Sequence, residues 1–119
     1  MKRKIRLLRV ADTPEEHSQG LMFVRQMDPD TGMLFRFKHP RILSFWMKDT
    51  YVPLDILFAD QHGKVVKTET MIPMSMRSVS SGRPCSMALE VPAGTFKSTE
   101  GFSISLDGEW AIISDDNDR

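Results

Sequence analysis

The sequence predicts a mainly β domain, a small barrel or sandwich with one short N-terminal helix packed against it. Segments rich in β-branched and aromatic residues recur along the chain, and turn signals such as Asp107-Gly108 separate them. Only one segment, just after Asp12, carries helix-start chemistry. With 119 residues, we expect one domain over positions 1–114 and a frayed acidic tail at 115–119.

The first strand and the helix follow from local patterns near the N-terminus. Apolar residues alternate in Lys4–Val10, as in a half-buried strand. Thr13 can cap a helix, Pro14 suits its first position, and Glu16 completes a capping box. Gly20 is expected to end this helix within about two turns.

The remaining elements are predicted from alternation and turn residues. Short strands are expected at 33–37, 42–48, 54–59, 64–70 and 88–91, and a final hairpin surrounds Asp107-Gly108. The DQHG turn at 60–63 should join the strands on either side of it as a hairpin. Segment 71–86, rich in Met, Ser, Pro and Gly, is expected to be a long loop, and 93–99 one helical turn.

Composition excludes several classes of function. Apolar residues make up 40% and charged residues 27%, an ordinary globular balance. The 16 basic and 16 acidic side chains cancel, so the basic surplus typical of nucleic-acid binding is missing. No segment approaches the ~20 apolar residues of a membrane helix. The start MKRKIRLLRV does not have a signal-peptide core, so we expect a cytoplasmic protein, or an envelope protein if a leader was removed.

The chain offers little for metal or thiol chemistry, and neither a cofactor nor a metal is predicted. Cys85 is the only cysteine, which excludes an internal disulfide, and a buried thiol is expected. Phosphate-binding loops and the HExxH zinc motif are absent. The methionines raise one alternative, because thioethers bind Cu(I). Met22, Met33 and Met47 are assigned to core packing, whereas the cluster Met71, Met74 and Met76 is left open as a copper site, a loop lid or a partner surface.

The segment SFWMKDTYVPLDILF, residues 44–58, is the predicted site. On a strand, Leu43, Phe45 and Met47 share one face, and Trp46 and Lys48 lie on the other. Residues 49–53 then connect to the next strand and bring a group of polar side chains to one end of the sheet. An indole, an ammonium, two carboxylates and a hydroxyl form a plausible rim for a pocket: Trp46, Lys48, Asp49, Thr50 and Asp55.

Five segments follow one another in a recognisable order and spacing: ADTPEEHSQGLMF, TGMLFRF, SFWMKDTYVPLDILF, DQHGKVV and ALEVPAG. Together they resemble a widespread prokaryotic family, the domain of unknown function 192. The resemblance implies a compact, mainly β domain with no established activity, and many relatives carry a secretion or lipoprotein leader. Relatives usually have Asn where this chain has Asp49, often have Arg at the place of Val24, and end in a pattern that 101–108 reproduces poorly.

The leading hypothesis is a binding module for a small polar ligand, such as a saccharide or peptide fragment. Glu90 is a further candidate, because it could reach the same pocket or pair with Arg77 or Arg83. The alternative is a hydrolase with Asp55 or Asp49 as general base and Lys48 as charge stabiliser. The third is a structural or protein-interaction role, with the chain monomeric or weakly oligomeric. A non-enzymatic role is favoured.

Overall fold

The protein, described here by a computed structural model covering residues 2–115, is built on one mixed sheet. Its elements are β1 (Lys2–Ala11), α1 (Pro14–Gln19), β2 (Thr31–Phe45), β3 (Leu54–Ala59), β4 (Val65–Met71), β5 (Val79–Pro92), β6 (Ser103–Asp107) and β7 (Trp110–Ser114). The strand order is β4-β3-β5-β2-β1-β7-β6, and β1 and β2 are the parallel pair. The prediction of a mainly β single domain with one short helix is confirmed. Of the predicted tail at 115–119, residues 116–119 lie outside the described residues.

The sheet curls into a half-barrel, between the barrel and the sandwich that the sequence allowed. Its two outer strands approach each other at one point, where Lys64 and Ser103 form an isolated bridge. Backbone hydrogen bonds run on either side of that bridge, from Val65 N to Phe102 O at 2.9 Å and from Ile104 N to Gly63 O at 2.7 Å. These bonds satisfy backbone groups that an open sheet edge would expose.

Both faces of the central strands are buried, and successive residues alternate between two apolar clusters. Phe35 and Phe58 belong to the first cluster, whereas their chain neighbours Leu34 and Leu57 belong to the second. This explains why β3 is buried along its whole length. The first cluster faces α1 and the segments after it, and the candidate site lies in this face.

The long pairing of β2 with β5 corrects two predictions. Residues 33–37 and 42–45 belong to one strand, and 79–86 are strand rather than loop. The register shifts between Arg36 and Arg41, so the irregular stretch around Pro40 leaves the ladder. Because β1 pairs only with residues 31–35 of β2, the rest of β2 has no strand partner on that side. Pro40, which lacks a backbone N–H, therefore leaves no ladder hydrogen bond unmade there. Pro and Gly therefore mark bulges here, where the sequence indicated breaks.

The helix forms as predicted. The Thr13 hydroxyl accepts a hydrogen bond from Glu16 N at 3.2 Å, and Glu16 Oε1 accepts one from Thr13 N at 3.0 Å, which completes the capping box. The helical turn expected at 93–99 is wrong. Thr95 instead closes a turn on the Pro92 carbonyl, with N···O 3.1 Å.

Candidate functional site

The segment after β2 keeps its alternation although the strand ends at Phe45, three residues earlier than predicted. Met47 is buried in the first cluster, and Trp46 is 45% exposed. Met47 N donates to Ser75 O at 2.9 Å, so the loop before β5 supplies a partner where β2 has ended. The predicted division of this segment into a buried side and an open side is therefore correct.

Asp49 sits in a turn that requires an unusual backbone. Its φ is 54°, in the left-handed region that Asn and Asp adopt more readily than other non-glycine residues. Its carbonyl accepts from Phe23 N at 2.8 Å, which ties the segment after α1 to this turn. Asp49 therefore meets a backbone requirement that Asn would also meet. Thr50 follows as a 5% exposed residue, and its hydroxyl donates to Lys48 O at 3.1 Å.

A pocket of about 430 Å³ lies between this segment, α1 and the face of β2. We call it the Glu90 pocket. Its lining combines aromatic and aliphatic side chains with polar and charged ones. The lining residues that matter here are Phe35, Phe37, Phe45 and Trp46 on the walls, His17, Gln19, Arg41, Ser44 and Lys48 towards the mouth, and Thr50 and Glu90 inside.

Glu90 is the acidic residue that lines this pocket, and it is only 4% exposed. It lies on β5 between Met33 of β2 and Ile56 of β3, so its strand neighbours on this face are apolar. Within residues 2–115 its carboxyl has neither a hydrogen-bond donor nor a cation as partner, and Arg77 pairs with Glu69 instead. Burial without compensation raises the pKa of Glu90 to about 8.

Cations and a histidine lie around the mouth of the pocket. Arg41 lies over the Phe37 ring at 5.3 Å and Lys48 over the Trp46 ring at 5.5 Å. The His17 ring stacks on Phe37 with centroids 4.1 Å apart. Its Nε2 is 2.8 Å from Arg36 O and 3.0 Å from Ala11 O, and these contacts hold α1 against the sheet.

Asp55 lies elsewhere, on the opposite side of β3 from the Glu90 pocket. It is 8% exposed, and both of its carboxylate oxygens have donors. Thr70 Oγ1 donates to Oδ1 at 2.6 Å and Gly94 N donates to Oδ2 at 2.9 Å. Asp55 thus fastens the turn after β5 to the β3–β4 hairpin. The structure brings Trp46, Lys48, Thr50 and Glu90 together and leaves Asp49 and Asp55 outside the pocket lining.

The wall contributed by α1 and by β2 was missed from the sequence. His17, Gln19, Phe35 and Phe37 line the pocket, but their alternation and spacing predict only core and helix surface. Nothing local indicates which strand a short helix will cover. The available signal was that the helix and TGMLFRF both belong to segments with a family resemblance.

The sulfur-containing side chains are partly in the core and partly exposed. Cys85 is buried as predicted, and burial raises the pKa of its thiol. Met33 and Met47 are core residues as predicted, whereas Met22, also assigned to the core, is half-buried and lines the Glu90 pocket. Met71 is also in the core, whereas Met74 and Met76 are exposed.

Over residues 2–115, no three His, Cys, Asp or Glu side chains come together as a metal site. No helix in the same range is long and apolar enough to cross a membrane.

The fold and the site define a small β half-barrel domain with one buried acid in an aromatic pocket. The chain belongs to the DUF192 family, described as an uncharacterized ACR, whose profile matches residues 2–102. This confirms the resemblance seen in the sequence. No functionally curated protein matches the chain.

Two crystal structures are similar. One, from Sinorhizobium meliloti 1021, is of a protein proposed to be a transcription regulator. It is 34% identical with a TM-score of 0.74, and the match covers 94% of this chain and 92% of that one. The other, a protein of unknown function from Novosphingobium aromaticivorans DSM 12444, is 30% identical with a TM-score of 0.69. That match covers 71% of this chain and 61% of the other.

Proposed function

We propose that this protein is a binding module that holds a small ligand in the Glu90 pocket. The observation that carries the proposal is the carboxyl of Glu90, which is buried in the pocket without a partner among the described residues. Buried polar groups in folded proteins are nearly always satisfied, because an unsatisfied one costs about 1–3 kcal/mol. A ligand that donates to Glu90 would remove that cost.

The size and lining of the pocket indicate what kind of molecule would fit. A volume of about 430 Å³ falls within the usual range of small-molecule sites. The rings of Phe45 and Trp46 offer flat apolar surfaces, and Gln19 and Ser44 offer hydrogen-bonding groups nearer the mouth. This combination suits a ligand with one apolar face and polar groups on its edge, such as a monosaccharide or a short peptide.

The test uses Trp46 as a reporter. In a Trp110→Phe variant Trp46 is the sole tryptophan, because the chain has only two. A panel of monosaccharides, disaccharides, amino acids and dipeptides is titrated while tryptophan fluorescence and ¹⁵N amide shifts are recorded. A ligand should change Trp46 fluorescence and shift the Glu90 amide. Trp46→Ala should lose binding, and Trp110→Ala, a matched change on β7, should retain it. A panel that leaves these signals unchanged, or shifts only amides outside the pocket, would contradict the proposal.

The hydrolase alternative gains little from this geometry. Both oxygens of Asp55 already accept hydrogen bonds from Thr70 and Gly94, and Asp49 does not line the pocket. A general base must reach the proton that it abstracts. Glu90 is the single acidic residue in the described lining, so a mechanism with two carboxyls at this pocket is not supported either.

A protein-interaction role has one specific observation in its favour. Large apolar side chains are exposed beside the segment that follows β2, including Phe23 at 63% and Ile72 at 70%. If these side chains form a contact between copies of the chain, replacing both Phe23 and Ile72 by Ser should weaken self-association. Sedimentation at increasing protein concentration measures this. Equal sedimentation of the variant and the wild type would remove this candidate.

A role in transcription, proposed for the Sinorhizobium protein, gains no support from this chain. The formal net charge is +0, and the helix in residues 2–115 has only six residues. Nucleic-acid binding depends largely on a basic surface that neutralises phosphates.

A further inference from the structure

The chemistry around Glu90 also points to a class of ligand. We infer that the pocket takes the protonated amine of a small ligand, with the ammonium group against the Glu90 carboxylate and the carbon skeleton between the aromatic rings. The inference rests on the proposed function, because it names the ligand of the same pocket.

The first argument is the missing counter-charge. A buried carboxylate is costly unless a cation or several donors accompany it. The titratable or charged side chains that line the pocket with Glu90 are His17, Arg41 and Lys48, and none of them pairs with it. From the adjacent strands, Met33 and Ile56 lie beside Glu90 and carry no charge. A ligand ammonium would supply the positive charge that the described residues do not.

The second argument is the aromatic wall. Ring faces carry negative quadrupole charge and attract cations, more strongly where water is excluded. Phe35 is buried, and its ring meets that of Phe45 edge-on with centroids 4.9 Å apart. Phe37 and Trp46 already hold Arg41 and Lys48 near the mouth. These two cations would oppose a second positive charge at the outer end of the ligand. A neutral or anionic outer end is therefore favoured, as in an amino acid rather than a polyamine.

Proton release gives the inference a signature that a neutral ligand lacks. Burial raises the pKa of Glu90 to about 8, so the carboxyl of the free protein is mostly protonated at neutral pH. An ammonium would bind the carboxylate form, and the displaced proton would go to the buffer. Affinity should therefore rise by about fiftyfold from about pH 6 to about pH 8, while an alkylamine, with a pKa of about 10, stays protonated. A neutral ligand that binds the protonated carboxyl should lose affinity above about pH 8.

The experiment compares benzylamine with benzyl alcohol, which has the same ring and no charge. Binding is measured by calorimetry in two buffers of different ionisation enthalpy, and the site is located by ¹⁵N shifts of the Trp46 indole and the Glu90 amide. Benzylamine should bind at least about tenfold more tightly at about pH 8 and release close to one proton near pH 7. Glu90→Gln should abolish both effects, whereas Glu100→Gln, an exposed control, should leave them unchanged.

The outcomes separate the two proposals. Benzyl alcohol or a panel saccharide binding as tightly as benzylamine, or benzylamine binding that releases no proton, overturns the amine assignment and leaves the binding module standing. So does the absence of benzylamine binding while a neutral compound occupies the pocket. If neither probe nor any panel compound shifts the Trp46 and Glu90 signals, both proposals fail. If Glu90→Gln does not fold, the pH dependence of benzylamine affinity for the wild type still tests the amine assignment.

Discussion

Gly32 faces the backbone carbonyl of Glu90 so closely that a Cβ at position 32 would lie 2.6 Å from that oxygen. The same Cβ would lie 3.1 Å from Ile5 Cγ2 and 3.2 Å from Val91 Cγ1, so it would meet atoms on two neighbouring strands. Close approach of β2 and β5 at this point holds the backbone that carries Glu90. Glycine is needed here for space.

Gly32→Ala should therefore destabilise the protein, by about 1–3 kcal/mol, because a backbone atom must move to admit the methyl group. Urea unfolding measures the loss, and ¹⁵N shifts should concentrate at Glu90. Gly108→Ala is the comparison, since its φ is 59° but its Cβ would meet nothing within 4 Å. That variant should carry backbone strain without the shifts at Glu90. A Gly32→Ala protein as stable as the wild type would contradict the close packing.

Glu90 should make stability depend on pH in a direction unusual for an acid. The folded protein keeps the proton up to about pH 8, whereas the unfolded chain releases it near the ordinary value of 4.5. Between these values the folded state binds more protons, so the free energy of unfolding falls as pH rises, by up to about 1.4 kcal/mol per pH unit. Melting temperatures of wild type should drop from about pH 5 to about pH 8, and Glu90→Gln should remove most of this slope. Parallel slopes for the two proteins would refute the assignment to Glu90.

Asp55 should behave as a structural residue. Asp55→Asn replaces one of the two accepting carboxylate oxygens by an NH2 group, which only donates. Either the Thr70 hydroxyl or the Gly94 N–H therefore loses its acceptor. The expected loss is about 2–3 kcal/mol in urea unfolding. The exposed Asp107→Asn is the matched control and should stay within about 0.5 kcal/mol of wild type. A fully stable Asp55→Asn protein that had lost ligand binding would contradict this prediction and assign Asp55 to the ligand site.

The capping box should matter for the pocket as well as for the helix. Thr13→Ala removes the hydroxyl that accepts from Glu16 N and should cost about 1 kcal/mol in unfolding free energy. Because α1 supplies the wall at His17, ¹⁵N shifts should extend to Phe37, on which His17 stacks. Thr13→Ser keeps the hydroxyl and should restore both stability and shifts. If Thr13→Ala and Thr13→Ser are equally stable, the cap does not hold the helix.

Local patterns predicted most of the elements but not how the long strands continue. Thr13, Pro14 and Glu16 specify a helix start within four residues, so the helix was predictable. The two strands predicted at 33–37 and 42–48 leave Pro40 between them, and a proline does interrupt a ladder with neighbours on both sides. In the fold that part of β2 has a neighbour on one side only, which is a property of the whole sheet. The same reasoning applies to Gly82 and Pro84 at the bulged part of β5.

The candidate site was predictable only along one segment. Alternation correctly separated Met47 from Trp46, because side chains of neighbouring residues point in opposite directions. The same rule separates Asp55 from Ile56, but it cannot show that Asp55 finds its donors in Thr70 and Gly94. Those partners come from β4 and from the turn after β5, and their approach depends on the strand order.

The most direct test of the account is an NMR titration of the Glu90 side-chain carboxyl, labelled with ¹³C, with and without saturating benzylamine. In the free protein the carboxyl should titrate at about 8. With the amine bound its pKa should fall by about three units or more, because the ammonium stabilises the carboxylate and a rise in affinity of about fiftyfold from about pH 6 to about pH 8 requires the bound carboxyl to stay ionised over that range. A carboxyl that titrates near 4.5 in the free protein, or one whose titration the amine does not change, would contradict the claim that Glu90 is the buried anchor of a ligand site.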